Sequence, residues 1–149
     1  MTEILFYHLT ESRLDDALPP LVERSVARGW RVVVQTADEA RRDALDEHLW
    51  TYREDSFLPH GTDAGPAPET QPVLLTALPD NANAATVRFL VDGAPPPPLD
   101  AYERVVFMFD GHNQPQLDAA RTAWKRLKSE GHSLTYWQQT AEGRWEKKG

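Results

Sequence analysis

The stretch Arg31-Val32-Val33-Val34-Gln35-Thr36 decides the fold class of this chain. Its run of valines lacks the polar alternation of a half-exposed strand, and it predicts a short strand buried on both faces of a parallel sheet. Gly29 is expected to end a helix before this strand, and Thr36-Ala37-Asp38-Glu39 resembles a capping box that begins the next helix. A strand between two helices indicates an α/β protein.

The segments on either side continue this alternation of strands and helices. Helices are expected over about residues 14–28, from the capping box to about residue 50, and over about residues 115–130. The predicted strands are residues 4–9, 31–36, 73–78, 85–91, 104–109 and 133–140, with 144–148 as the second arm of a terminal hairpin. We therefore predict one Rossmann-like, doubly wound α/β domain over residues 1–149, with a mainly parallel sheet and helices on both faces.

Two segments carry strong local signals. The Pro19-Pro20 pair is expected only in the first turn of a helix or at a break before it, because proline lacks the backbone N–H that a helix interior uses. Residues 61–71 are rich in glycine, proline, alanine and acidic side chains, and they predict a mobile surface loop.

Composition excludes several classes of site. The chain has no cysteine, so it forms no disulfide, thiol nucleophile or thiolate metal site. Its five histidines do not show paired metal-ligand spacing, and no cofactor is expected. There is no apolar run of the roughly 18–20 residues that a membrane span needs, and the first residues lack the pattern of a signal peptide. We therefore expect a cytoplasmic protein without a membrane partner.

Charge is distributed unevenly along the chain. Residues 112–149 carry seven Lys and Arg against four Asp and Glu, whereas the first 111 residues carry nine against nineteen. In the expected C-terminal helix, Arg121, Trp124, Lys125 and Lys128 follow helical spacing and share one stripe. This stripe predicts an anionic partner, while the net charge of −7 argues against direct binding to a nucleic acid backbone.

The sequence offers little evidence for catalysis. The turn after the first strand, residues 8–12, contains no glycine, and no phosphate-binding loop occurs anywhere in the chain. The strongest enzymatic candidate is Asp110 with His112, a carboxylate that orients an imidazole base after a strand. Such a pair would suit a small hydrolase or a nucleotide-dependent enzyme. The favoured interpretation is that Asp110-Gly111 forms a turn and that His112 and Asn113 help to cap the next helix.

Several motifs resemble the chi subunit of bacterial DNA polymerase III, an accessory protein of the clamp-loader complex. The most specific is Leu49-Trp50 followed by Ser56-Phe57-Leu58-Pro59-His60. The others are Phe6-Tyr7-His8-Leu9, Gly29-Trp30-Arg31-Val32-Val33-Val34, Asp46-Glu47-His48 and Ala120-Arg121-Thr122-Ala123-Trp124-Lys125, with Gly131. The resemblance extends over nearly the full length.

The resemblance implies a Rossmann-like fold without nucleotide-binding activity, and a protein that is not itself an enzyme. It implies that the acidic C-terminal tail of single-stranded DNA-binding protein, which ends in Pro-Phe, binds at Arg121, Trp124 and Lys125. It also implies that Trp50 and Phe57 bind the psi subunit. A lysine that the family can carry four residues before the arginine is Leu117 in this chain.

Physical chemistry supports the same assignment. The Arg121 guanidinium is able to bind a carboxylate through two parallel hydrogen bonds, with Lys125 and Lys128 as more diffuse charges. Trp124 and Leu117 are expected to wall a slot for a terminal phenylalanine. The sequence leaves open whether a psi subunit or another replication or repair protein, such as a helicase, uses Trp50 and Phe57. Direct binding of single-stranded DNA to the Arg-Trp-Lys surface is a weaker alternative, so nucleic acid association is expected to be indirect.

Overall fold

The computed structural model describes residues 2–52 and 58–148 of the chain. Its helices are α1 (Leu14–Ala27), α2 (Glu39–Thr51) and α3 (Gln114–Ser129), and a 3₁₀ turn covers Pro68–Thr70. The strands are β1 (Glu3–Leu9), β2 (Val32–Gln35), β3 (Gly61–Thr62), β4 (Val73–Thr76), β5 (Val87–Val91), β6 (Arg104–Asp110), β7 (Ser133–Gln139) and β8 (Trp145–Lys147).

The described strands form one sheet in the order β3-β4-β2-β5-β6-β1-β7-β8. Neighbouring strands are parallel except β7 and β8, which form the antiparallel hairpin expected at the C-terminal end. The predicted α/β class and the mainly parallel, Rossmann-like sheet are therefore confirmed. Residues 61–62 of the expected loop are an edge strand, while the mobility of residues 61–71 stays a prediction.

Successive side chains of a strand point to opposite faces of the sheet, and both faces are buried. On β1, Leu5 and Leu9 pack with α1 and α2, whereas Ile4 and Phe6 pack with α3. We call these two sides the α1 face and the α3 face. Because β1 and β6 are neighbours and the helices after them cover opposite faces, the carboxyl ends of these strands border a crevice of the kind where Rossmann-like sheets bind ligands.

The expectation for Pro19 and Pro20 is wrong, because both prolines lie inside α1. Proline at position 19 cannot donate a backbone hydrogen bond to the carbonyl oxygen of Asp15, four residues earlier. His48 of α2 takes the place of that donor, with its Nε2 atom 2.7 Å from the Asp15 carbonyl oxygen. A long-range side-chain contact thus compensates for a local defect.

The capping box predicted at Thr36 is also wrong. The N-cap of α2 is Asp38, whose Oδ1 accepts a hydrogen bond from the backbone N–H of Arg41 at 2.8 Å. The Thr36 hydroxyl instead donates to the carbonyl oxygen of Asp38 at 2.8 Å and stabilises the turn before the helix. The helix therefore begins two residues later than the pattern suggested, because the aspartate side chain competes for the capping position.

A buried arginine organises the part of the α3 face that α3 does not cover. The Arg88 side chain on β5 is fully buried, and its Nη2 donates to Gln35 Oε1 at 2.6 Å and to the Leu78 carbonyl oxygen at 2.8 Å. Its Nη1 donates to the Tyr102 hydroxyl at 2.8 Å and to the Asp80 carbonyl oxygen at 3.0 Å. Burial lowers the pKa of Arg88, and the Tyr102 hydroxyl opposes this shift. Arg88 therefore fastens two non-helical segments to the sheet.

Replacement of Arg88 by alanine is expected to lower the free energy of unfolding by about 3 kcal/mol or more, because it leaves a cavity and several buried acceptors without a donor. Urea denaturation of the variant measures this loss. The control is Arg144→Ala, since Arg144 is exposed on the turn before β8 and its loss should cost less than about 0.5 kcal/mol. Equal stability of the two variants would contradict the role given to Arg88.

Candidate functional site

Helix α3 has defined ends, and these fix which side chains it presents to solvent. The Asn113 side chain caps its first turn by accepting a hydrogen bond from the N–H of Gln116 at 3.1 Å. At the other end Gly131 adopts a positive φ of 86°, and the N–H of His132 returns to the carbonyl oxygen of Leu127 at 3.2 Å. Ala120 and Leu127 are buried on the side of α3 that packs on the sheet. The Arg121 and Lys125 side chains are exposed to solvent.

An open pocket of about 320 Å³ lies between α3 and the sheet. Leu117, Ala120 and Trp124 of α3 form apolar walls, and Arg121 and Lys125 lie on the same helix at its margin. Three residues from β1, β6 and β7 complete the pocket. We call this site the α3 pocket; its lining is His8, Phe109, Leu117, Ala120, Arg121, Trp124, Lys125 and Tyr136. The sequence-predicted residues Leu117, Arg121, Trp124 and Lys125 therefore come together at one hollow.

Aromatic contacts hold the Trp124 wall in place. Its ring meets Phe6 edge-on, with the ring centroids 5.3 Å apart and an interplanar angle of 72°. It meets Tyr136 in a similar way at 5.6 Å and 83°. Such edge-to-face pairs are favourable and directional, so the indole is positioned before any ligand arrives.

The three basic side chains of the predicted stripe differ in position. Arg121 and Lys125 line the pocket, whereas Lys128 is exposed on α3 outside the lining. Within residues 2–52 and 58–148, no carboxylate lies within ion-pair distance of any of the three. Arg126 on the same helix does have a partner, since its Nε is 3.8 Å from Glu130 Oε2. The charges at the pocket are thus available for an external anion.

Sequence reasoning missed the polar floor of the pocket. His8 Nδ1 lies 2.7 Å from the Tyr136 hydroxyl oxygen, and the His8 ring stacks on Phe109 with centroids 4.9 Å apart. Burial lowers the pKa of His8, and His112 and Arg121 add to this shift while Asp110 opposes it. Burial raises the pKa of Tyr136, which Arg121 opposes. Strand periodicity was the available signal, because His8 follows Ile4 and Phe6 on the α3 face.

The turn predicted at Asp110-Gly111 and the cap predicted at Asn113 are confirmed, but His112 does not cap α3. Asp110 Oδ1 accepts a hydrogen bond from the backbone N–H of His112 at 2.8 Å. His112 Nε2 lies 2.7 Å from the Thr10 carbonyl oxygen, and because a carbonyl only accepts, this ring nitrogen carries a proton. Both side chains therefore bond to the backbone around the crevice.

An arginine occupies the crevice where related folds bind nucleotides. Arg41 Nε donates to Asp92 Oδ2 at 2.6 Å, and its Nη2 pairs with Asp15. Burial would raise the pKa of Asp15, but the cations around it, Arg41 foremost, together lower it. The carboxylates around this guanidinium, together with Glu11 and Asp110, oppose a phosphate ligand. No group of three or more potential metal-ligating side chains occurs within the described part of the chain.

A family model described as "DNA polymerase III chi subunit, HolC" matches residues 1–135. The chain belongs to the DNA polymerase III chi subunit family. The resemblance inferred from the sequence motifs is thereby confirmed.

Two relatives agree with the family. A protein named "Probable DNA polymerase III subunit chi" from Rickettsia prowazekii (strain Madrid E) is 30% identical over 91 residues, which is 61% of this chain and 55% of that protein. A protein named "DNA polymerase III subunit chi" from Pseudomonas aeruginosa is 38% identical over 64 residues, which is 40% of this chain and 44% of that protein. The chain thus spans about half the length of the chi relatives that it matches.

The structure describes only one of the two residues that the chi resemblance assigns to a second partner. Trp50, near the end of α2, is 50% exposed, and its ring centroid lies 4.1 Å from that of buried His60. Phe57 lies outside the described residues. Because α2 packs on the α1 face, Trp50 and the α3 pocket belong to different sides of the sheet.

Among the helices that the structure describes, none has the length and apolarity to cross a bilayer.

Gly111 has no side chain, and this leaves space for the His8 ring, which forms the polar floor of the α3 pocket with Tyr136. A Cβ atom at this position would lie 2.1 Å from His8 Nε2 and 3.0 Å from the Leu9 carbonyl oxygen. Any other residue therefore forces the His8 ring away from Tyr136, because atoms this close repel strongly.

We expect Gly111→Ala to lower the free energy of unfolding by about 1–3 kcal/mol, the usual cost of overpacking. Urea denaturation gives this value, and the imidazole signals of His8 in an NMR spectrum report the displaced ring. Gly65→Ala is the matched control, because the nearest atom to its added Cβ is the Thr62 carbonyl oxygen at 3.5 Å. The explanation fails if the two alanine variants lose the same stability and His8 keeps its signals.

Proposed function

We propose that this chain is a non-catalytic accessory subunit of the replicative DNA polymerase III clamp-loader complex, and that its α3 pocket binds the acidic C-terminal tail of single-stranded DNA-binding protein. The observation that carries the proposal is the position of Arg121, which lies without a carboxylate partner among the described residues and beside an apolar pocket open to solvent. Family membership supplies the replication context.

The proposed ligand combines the two chemical features that the pocket accepts. Its terminal carboxylate binds the Arg121 guanidinium through two parallel hydrogen bonds, which Lys125 cannot reproduce because an ammonium lacks the planar fork. Its terminal phenylalanine ring enters the space between Leu117, Trp124 and Tyr136, where aromatic edges and faces are both available. One group fixes the end of the tail and the other contributes apolar contact area.

The acidic residues that precede the terminus follow the remaining charges of α3. Lys125 lies one turn after Arg121, and Lys128 extends the same exposed stripe beyond the pocket. These lysines act as diffuse attractors, so their contribution is screened by salt. We therefore assign Lys128 to the approach of the tail and the residues of the α3 pocket to its end.

In this role the chain brings proteins together and catalyses no chemical reaction. Attachment to single-stranded DNA-binding protein raises the local concentration of the polymerase on coated template. Through the α3 pocket, contact with nucleic acid is indirect, which agrees with the net charge of −7.

We assign Trp50 and Phe57 to a second partner, the psi subunit or another replication or repair protein. Tryptophan is enriched among the residues that dominate interface energies, and Trp50 is half-exposed on a side of the sheet away from the α3 pocket. Two partners bound on different faces do not compete for space. A linking function requires this separation.

Arg121→Ala is expected to weaken tail binding by about 100-fold or more, because each charged hydrogen bond contributes about 1.5–3 kcal/mol. Calorimetric titration with an acidic peptide ending in Pro-Phe measures the change. Arg126→Ala, on the same helix but paired with Glu130, should bind as the original chain does. A peptide with an amidated C-terminus should bind as weakly as the free peptide binds Arg121→Ala. Unchanged affinity in Arg121→Ala would refute the assignment of this site.

Trp50→Ala is expected to weaken capture of the second partner while tail binding stays within about twofold, because interface tryptophans contribute about 2 kcal/mol or more. Copurification with a coexpressed psi subunit and the same peptide titration measure the two effects. Thr51→Ala serves as the control, since Thr51 is the exposed neighbour of Trp50 at the end of α2. Full capture by Trp50→Ala would remove this residue from the interface.

A further inference from the structure

A second cationic hollow lies between the last turns of α1 and the sheet, on the α1 face. Its volume is about 120 Å³. Arg24 and Arg28 reach it from the end of α1, and Arg104 reaches it from the first position of β6. Tyr7 and Trp30 contribute aromatic walls. We call this set of five residues the arginine hollow.

Two arginines of the arginine hollow differ from the other described arginines of the acidic part of the chain, residues 1–111, in having no partner of opposite charge or other oxygen acceptor among the described residues. Arg24 and Arg28 lie beyond ion-pair distance of every carboxylate in residues 2–52 and 58–148, and Arg104 shares its charge with Glu3 at 2.7 Å. The other described arginines before residue 111 are satisfied by aspartates or by neutral oxygens: Arg13, Arg41 and Arg42 by aspartates, and Arg31 and Arg88 by backbone and side-chain oxygens.

The dipole of α1 accounts for only part of this arrangement. Cations are favourable at the C-terminal end of a helix, which suits Arg24 and Arg28. That end is already capped, however, because the N–H groups of Gly29 and Trp30 bond to the last carbonyl oxygens of the helix. The dipole also gives no reason for a third guanidinium to arrive from β6.

The Trp30 ring holds two of the three guanidinium groups in position. The Cζ atom of Arg28 lies 5.1 Å from the centroid of the Trp30 ring, and that of Arg104 lies 4.9 Å from it. Stacking on an aromatic ring restricts arginine and leaves its N–H groups free to donate at the edge. Burial raises the pKa of Tyr7, while Arg104, Arg24 and Arg28 all oppose the shift. Tyr7 lines the same hollow as these three arginines.

We propose that the arginine hollow binds a dianionic terminal phosphate, either as inorganic phosphate or at the end of a phosphate monoester. Arg24 and Arg28 have no carboxylate partner among the described residues, so their two charges match the double negative charge of this group, and their N–H groups match its oxygens. A cavity needs about 10–15 Å³ to hold one water, so 120 Å³ accepts a tetrahedral oxyanion but leaves a sugar and a base outside. Inorganic phosphate, a free nucleotide and the 5′-phosphate end of a DNA strand share this chemistry.

This proposal is independent of tail binding. The arginine hollow lies on the α1 face and shares no lining residue with the α3 pocket. It also lies away from the crevice that Arg41 occupies, which is lined by carboxylates. Failure of either proposal therefore leaves the other intact.

The test is an NMR titration of the arginine Nε–Hε signals of the full chain at constant ionic strength. Inorganic phosphate should shift the signals of Arg24, Arg28 and Arg104 until they saturate. Thymidine 5′-monophosphate is then compared with thymidine, and a 5′-phosphorylated oligothymidylate with its 5′-hydroxyl form. Tighter binding of a phosphorylated compound than of inorganic phosphate identifies that compound as the source, and equal binding identifies free phosphate.

Arg24→Gln and Arg28→Gln should each weaken phosphate binding by about tenfold or more, because each removes charge-assisted hydrogen bonds. Both side chains are exposed, so the unfolding temperature should fall by no more than the few degrees that a lost helix-dipole contact costs. Arg144→Gln, an exposed arginine near β8, is the matched control. Shifts with inorganic phosphate that never saturate, or equal weakening by Arg144→Gln, would overturn the proposal. Equal binding of the 5′-phosphate and 5′-hydroxyl strands would exclude the strand end as the source of the phosphate.

Discussion

A parallel sheet that is apolar on both faces must be covered on both faces, and this chain meets that requirement with few helices. Helices α1 and α2 cover one face, while α3 covers only the part of the other face near β6 and β1. The remaining part, over β2 and β5, is covered by segments without helical structure that contribute Ala85, Ala94, Leu99 and Tyr102. Such segments have no internal hydrogen-bond ladder, so a side chain within the sheet must supply the donors. Arg88 does so, and Gln35 extends its network to the Pro95 carbonyl oxygen at 3.0 Å.

The same shortage of cover produces the α3 pocket. On the β7 side of α3, the rings of Trp124 and Tyr136 contact each other, but the layer above them ends, and an open space remains beside Arg121. The pocket is thus a consequence of how one helix lies on a wide sheet. Its polar floor depends on a long-range pair, His8 with Tyr136, and on the missing side chain of Gly111.

Local sequence patterns predicted what local interactions determine. Valine runs located the strands, helical spacing grouped Arg121, Trp124 and Lys125, and family motifs assigned these residues a common role. The capping box predicted at Thr36 failed for a local reason, because Asp38 caps the helix instead. The other error and the omission arose where a distant residue decides the structure. Pro19 is tolerated in α1 because His48, far along the chain, replaces its missing donor. His8 reaches Tyr136 across 128 residues of sequence, so no window of neighbouring residues contains the pair.

The two borders of the described sheet are very short. One is β3, with two residues, and the other is β8, with three, of which Glu146 and Lys147 are charged. A border of this length exposes few unpaired backbone groups, and charged side chains hinder the approach of another strand. The molecule is thereby protected against edge-to-edge aggregation when many copies are crowded together. The two faces of the sheet, where the proposed binding surfaces lie, are then left for contact with other proteins.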